Sequence, residues 1–138
     1  MIGTEAFDRF VTGHRWAVLT TLRETATGGE PVSSVVAYAR DGDDLVVSTP
    51  GGTFKRCSIE RNPHVNLCVI SNAEPFNFVA IEGDARVQHE NLLEDTRRVF
   101  ANIRDTGYQE PEDLPGWLEQ QWRVILRITP RRVYGVIR

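Results

Sequence analysis

Residues 48–63, STPGGTFKRCSIERNP, hold the side chains best suited to chemistry in this chain. Two hydroxyls, Ser48 and Thr49, lead into the turn Pro50-Gly51-Gly52, and Thr53, Lys55 and Arg56 follow at once. Glycine lets the main chain approach a ligand closely, and unpaired N–H groups at a helix start favour an anion. Lys55 and Arg56 add formal positive charge within the next turn. Together these residues read as a phosphate cradle. The spacing is not that of a P-loop, which needs GxxxxGK[ST], nor that of the dinucleotide-binding glycine fingerprint. The same stretch also reads as a hairpin exit followed by a solvated basic helix, and the residues alone leave both readings open. Lys55 is the only lysine in a chain with 16 basic residues, which draws attention to its surroundings.

The other reactive side chains are scattered. His14, His64 and His89 have no serine, cysteine or carboxylate at a triad-like or metal-like spacing, so each reads as structural. Cys57 and Cys68 stand outside any CxxC or Cys/His ligand pattern, which points to neither a disulfide framework nor a zinc site. Cys68 lies in an apolar run and reads as a small buried hydrophobe. Glu82-Gly83-Asp84 reads as the shaper of a bend rather than an acid–base pair. Phe76, Phe78, Trp117, Trp122 and Tyr38 suit either an apolar cleft, a core or a subunit interface.

The elements that must carry these residues follow from periodicity and punctuation. Thr4 caps a short helix that sets Phe7, Phe10 and Val11 on one face. Strands are expected over 15–22, 31–40, 45–49, 65–70 and 76–88, the last bent at Gly83. Two more are expected over 124–128 and 133–137, joined at Pro130. Turns fall over 24–30 and 41–43. A short helix covers 53–61 and stops at Asn62-Pro63, because proline cannot continue it. A longer helix covers 91–104, with Leu92, Val99, Phe100 and Ile103 on one side, and a turn of helix lies near Trp117. Regularly spaced strands with hairpin turns and few helices indicate an antiparallel barrel or sandwich.

Bulk properties narrow the class. The 138 residues suit one domain spanning 1–138, large enough for a real core. With 41% hydrophobic and 25% charged residues and a net charge of −3, the chain reads as a folded protein without affinity for nucleic acid or an anionic membrane. No stretch approaches the roughly 18 apolar residues of a membrane span. The N-terminal residues lack the pattern of a signal peptide. The expected location is cytoplasmic.

Five blocks in order, VLTTLR (18–23), PVSSVVAY (31–38), LVVST with KRCSIERNPHVNLCV (45–69), FVAIEGDARV (78–87) and RRVYGV (131–136), resemble the pyridoxamine 5′-phosphate oxidase-like superfamily. More closely they resemble its actinobacterial branch that uses coenzyme F420, a deazaflavin. The resemblance spans nearly the whole chain. It implies a mainly β fold with a few helices, a split antiparallel β-barrel of the FMN-binding type with six or seven strands. It implies a homodimer with two cofactor sites at the subunit interface.

In such proteins the cofactor ring lies along the strand matching Ser33, Ser34, Val35 and Val36, held largely by main-chain groups. The phosphate sits against positions matching Ser48, Thr49, Thr53, Lys55 and the helix start. The partner subunit closes the site with residues near Phe76 and Asn77. One departure is visible. Relatives often read KxRN, whereas here Cys57 takes the place of the second base and Arg56 stands one position earlier. On a helix that shift is about 100°, which would aim Arg56 away from a phosphate held by Lys55.

The implied activity is that of a coenzyme F420-dependent oxidoreductase exchanging a hydride with a small, conjugated organic substrate. That chemistry belongs to the cofactor, which accounts for the lack of a catalytic dyad. Two alternatives stand beside it. One is an FMN-binding flavin reductase or oxidase of the same fold. The other is a non-catalytic protein that binds or stores the cofactor, a reading that Cys57 keeps open.

Overall fold

The computed structural model describes residues 1–138, apart from the side chain of Phe54. The elements run α1 (Glu5–Gly13), β1 (Trp16–Thr25), β2 (Gly28–Ala37), β3 (Ala39–Asp41), β4 (Asp44–Pro50), α2 (Phe54–Arg61), β5 (His64–Ile70), β6 (Phe78–Gln88), α3 (Leu92–Asn102), α4 (Leu114–Gln120) and β7 (Arg123–Val136). The strands form one seven-stranded sheet in the order β2-β1-β5-β6-β7-β4-β3, each neighbouring pair antiparallel.

That order curls the sheet. Its two edges, β2 and β3, are consecutive in the chain with only Tyr38 between them. One residue cannot span a flat sheet of seven strands spaced about 4.8 Å apart, so the edges must come round to meet. This is the split barrel expected from the sequence. Tyr38 sits fully buried at the join; its hydroxyl donates to the Val11 carbonyl, and Asn102 Nδ2 donates to the Tyr38 carbonyl at 2.8 Å.

Inward-facing side chains fill the barrel, among them Leu19, Val47, Leu67, Ile81, Leu126 and Ile128, with Phe10 and Val11 of α1 packed against them. The Thr4 hydroxyl accepts from the Phe7 N–H at 3.2 Å, capping α1 as expected. A smaller cluster of Ala39, Val46, Val99 and Ile125 seats α3 on the outside of β3, β4 and β7. Above it Arg127 gathers Asp41, Asp44 and Asp95 at 2.9–3.1 Å and donates to Gln88 at 2.7 Å.

Several boundaries differ from expectation, each for a local reason. The turn between β1 and β2 shrinks to Ala26-Thr27, and Gly28-Gly29 joins the β2 ladder. The strand expected over 31–40 divides at Tyr38, where the chain passes from one edge of the sheet to the other. β6 starts at Phe78 instead of residue 76, because Ser71 and Asn77 close the preceding loop by exchanging hydrogen bonds.

The two final strands are one. Pro130 lies opposite Gly83, at the register shift between Glu82 and Gly83. A proline has no N–H to offer a ladder and is tolerated at a bulge, so β7 continues through it. Gly83 is needed there, since a Cβ would fall under 3.0 Å from the Thr129 carbonyl oxygen. No helix among the described residues is long and apolar enough to cross a membrane.

Candidate functional site

Strand alternation divides the two hydroxyls that lead into the glycine turn. Successive residues of a strand face opposite sides, so Thr49 points into the barrel and Ser48 points out. Thr49 is buried, with its Oγ1 3.2 Å from Thr53 Oγ1. Ser48 Oγ instead accepts from Arg123 Nε and Nη2 at 3.3 and 3.1 Å. The turn itself is closed by the Thr53 N–H donating to the Pro50 carbonyl at 3.3 Å.

Thr53 precedes α2 as its N-cap residue, yet its side chain makes no cap hydrogen bond. With that hydroxyl engaged by Thr49, it leaves the first-turn N–H groups of α2 uncapped. Lys55 is half-buried on this turn, and no ion pair among the described residues involves it. Arg56 has turned back: its Nη1 donates to the Gly51 carbonyl and its Nε to Glu60 Oε1, both at 3.1 Å. Its charge is already matched within its own helix.

A cleft of 340 Å³ opens between this turn and the end of β1, lined by Arg23, Gly52, Thr53, Cys57, Ser58 and Arg61, with Glu24 beside them. Arg23, Ser58 and Arg61 were not singled out from the sequence. Thr53, Cys57 and Arg61 are four residues apart in turn, which places them on one helix face. That spacing was the signal available for Arg61. Lys55 does not line this cleft.

The β2 candidates alternate in the same way. Ser33 and Val35 face outward, Ser33 Oγ 2.7 Å from Thr20 Oγ1 and Val35 69% exposed, whereas Val36 faces the core. β2 pairs on one side only, with β1, so the main-chain groups of its other side form an open edge.

Phe76 and Asn77 lie far from the turn. Phe78, next in line, pairs with Ile70 and Val136 at the level where β1 begins, and the cleft at α2 opens where β1 ends. Seven strand residues separate Trp16 from Arg23, about 23 Å at ~3.3 Å each. Phe76 and Asn77 are engaged instead with Arg138: Nη1 donates to the Phe76 carbonyl at 2.7 Å and the Arg138 N–H to Asn77 Oδ1 at 3.0 Å.

Part of the outward face of the sheet is apolar, and a neighbouring row on that face, Ser33, Thr20, Asn66, Glu82 and Arg132, is polar. The strand registers align Val35, Val18, Cys68, Ala80 and Tyr134 in one row. A second row carries Ile70, Phe78 and Val136. Tyr134 and Val136 are 39% and 41% exposed, so this face is open in the single chain. Cys68 thus packs half-buried on the outside rather than within the core, and burial still pushes its thiol pKa up. The histidines take structural partners where they have them: His14 Nδ1 lies 2.8 Å from the Phe10 carbonyl, and His64 Nδ1 2.8 Å from Asp84.

A profile of the pyridoxamine 5′-phosphate oxidase family matches residues 4–137. Among solved structures, one described as an F420 reductase superposes with a TM-score of 0.74 at 19% identity, covering 96% of this chain and 98% of the other. A conserved hypothetical protein from Mycobacterium tuberculosis gives 0.72 at 25% identity, covering 98% and 85%. An FAD-binding protein from Mesorhizobium loti gives 0.72 at 18%, covering 97% and 94%. The likeness to each is one of fold. A search of curated proteins finds no match.

Proposed function

Since the chain belongs to the pyridoxamine 5′-phosphate oxidase family, we propose that it is an oxidoreductase that binds a flavin-type cofactor, and that this cofactor is coenzyme F420. When bound, such a group exchanges a hydride with a conjugated organic substrate. The observation that carries the reading is the anion seat at the start of α2. Lys55 is half-buried there without an acidic partner among the described residues, beside first-turn N–H groups that Thr53 does not cap. A Cβ at Gly52 would meet nothing within 4 Å, so the main chain is open to close approach. These groups suit a phosphate.

Each part of the chain then has a defined task. Lys55 and the α2 N–H groups hold the phosphate, with Thr53 beside them. The open edge of β2, from Ser33 to Val36, offers main-chain donors and acceptors to the polar rim of a tricyclic ring. Thr49 keeps Thr53 in place. Arg56 is not part of the phosphate seat, being held by Gly51 and Glu60. Ser48 supports the turn from the other face through Arg123.

The outward apolar rows of the sheet favour a homodimer, since such a face would otherwise remain in water. Dimerisation would also bring Phe76 of the partner subunit to a site that its own protomer cannot supply. Parallel fluorescence titrations with coenzyme F420 and FMN test the cofactor. Saturable, preferential binding of the deazaflavin supports the reading, preference for FMN replaces it with flavin chemistry, and binding of neither overturns it. Lys55→Ala should weaken binding by about 1.5–3 kcal/mol, the range for a charge-assisted hydrogen bond. Unchanged affinity in a folded variant removes the phosphate seat.

A further inference from the structure

A second cleft, of 600 Å³, lies on the other side of the glycine turn, between the start of α3, α4 and the first residues of β7. Its size falls in the range of pockets that enclose small organic ligands. Leu92, Leu93, Pro115, Leu118 and Val124 make its surface mainly apolar, and Trp122 stands exposed at its margin. Nothing in the proposed cofactor site uses it.

Arg56, His89, Glu119 and Arg123 interrupt that apolar lining, and Arg123 is the arginine among them without an ionic partner. Its guanidinium is half-buried, and every partner it has is neutral. Nε and Nη2 donate to Ser48 Oγ, Nη1 donates to Gln121 Oε1 at 2.9 Å, and Cζ lies 4.3 Å from the centre of the Trp117 ring. Among the described residues no carboxylate comes within ion-pair distance of it, although Glu119 is on the same wall. The other arginine of the cleft, Arg56, is already neutralised by Glu60. Burial depresses the pKa of Arg123, as expected for a cation held out of water without a counter-ion.

A charge kept in this setting costs free energy that an anion would return. One uncompensated guanidinium suits a monoanion, and its planar fork suits a carboxylate. Phosphate, with its higher charge, would call for a second cation held beside Arg123, whereas Arg56 is committed to Glu60 and His89 is exposed at the rim. We propose that the cleft binds a small amphipathic carboxylate, its head group on Arg123 and its apolar body across Leu92, Leu93 and Leu118.

The test uses the full chain with sodium decanoate below its micellar range and 1-decanol as the uncharged counterpart. Binding is followed by the fluorescence of Trp117 and Trp122 and by thermal shift. The expected result is saturable binding of decanoate at least tenfold tighter than that of decanol. Arg123→Gln should erase the preference for the acid, whereas Arg123→Lys should keep part of it. Leu93→Trp, which fills the cleft and leaves the charge, should block both ligands and carries the test if Arg123→Gln does not fold. Equal affinity for acid and alcohol, no binding of either, or wild-type binding in Leu93→Trp would each overturn the proposal. These outcomes are independent of the cofactor titration.

Discussion

Gly51 and Gly52 are neighbours in one turn, yet they should respond in opposite ways to the same added methyl group. At Gly51 a Cβ would fall under 3.0 Å from the Trp122 carbonyl oxygen and 3.5 Å from Arg56 Nη1. The oxygen belongs to main chain leading directly into β7, and Arg123 is already paired with Pro50 across the ladder. It cannot yield as a flexible side chain would. Overpacking costs typically about 1–3 kcal/mol, and a rigid backbone neighbour puts Gly51→Ala in the upper part, about 2–3 kcal/mol. For a chain of this length that lowers Tm by roughly 6–12 °C. At Gly52 nothing lies within 4 Å, and its φ is not in the left-handed region. Alanine there restricts the unfolded chain and should stabilise by about 0.4–1 kcal/mol. The same methyl would project toward the cleft at α2, so cofactor affinity should fall at least tenfold while stability holds. Calorimetry and fluorescence titration on both variants separate the two effects. A Gly51→Ala protein that melts with the wild type would refute the packing argument. Wild-type affinity in Gly52→Ala would refute close approach of the ligand at that turn.

Other consequences are open to direct measurement. Arg127→Met should destabilise by about 1–3 kcal/mol in chemical denaturation, because Asp95, 3% exposed, loses one of its two arginine partners and keeps only Arg98 Nε at 3.2 Å; a loss below about 0.5 kcal/mol would show that the three aspartates do not depend on it. Burial pushes the Tyr38 hydroxyl well above its ordinary pKa. Above about pH 10 the unfolded tyrosine therefore loses a proton that the folded one keeps, and stability falls as pH rises. Tyr38→Phe should remove this part of the alkaline decline while costing about 1–3 kcal/mol at neutral pH for the unpaired Val11 carbonyl; an unchanged alkaline slope would count against the assignment. Val35→Arg places a charge on the outward apolar rows and should turn the proposed dimer into a monomer in sedimentation; a monomeric wild type would refute the dimer, and a variant that remains dimeric would move the interface elsewhere.

The fold was legible because its signals are local. Hairpin turns, the Thr4 cap, the Asn62-Pro63 stop and the break at Gly83 each depend on residues close in sequence. What escaped were features set by pairing across the barrel. Tyr38 reads as the middle of a strand, and only the closure of the sheet makes it the joint between two edges. Pro130 reads as a strand break, and only its position opposite Gly83 lets β7 run through it. In each case the deciding partner lies many residues away.

The site shows the same division. Lys55 was legible as an isolated cation after a glycine turn, whereas the contacts of Arg56 with Gly51 and Glu60 come from the folded turn and carry no signal in the sequence. Ser48 and Thr49 both lead into the turn, yet adjacent strand residues face opposite sides, and only the position of β4 in the sheet shows which of them faces inward. With Ser48 on the outer side of β4, its hydroxyl meets the Arg123 guanidinium at 3.1 Å. Arg123 carries no signal in sequence, because its apolar surroundings come from α3, α4 and β7 together. The glycine turn thus separates two chemistries. Its inner side leads to uncapped N–H groups and Lys55, and its outer side to one uncompensated guanidinium in an apolar cleft. A ligand that moved Arg123 away from Ser48 would act on β4 directly, one residue before Thr49 and the Thr53 it holds.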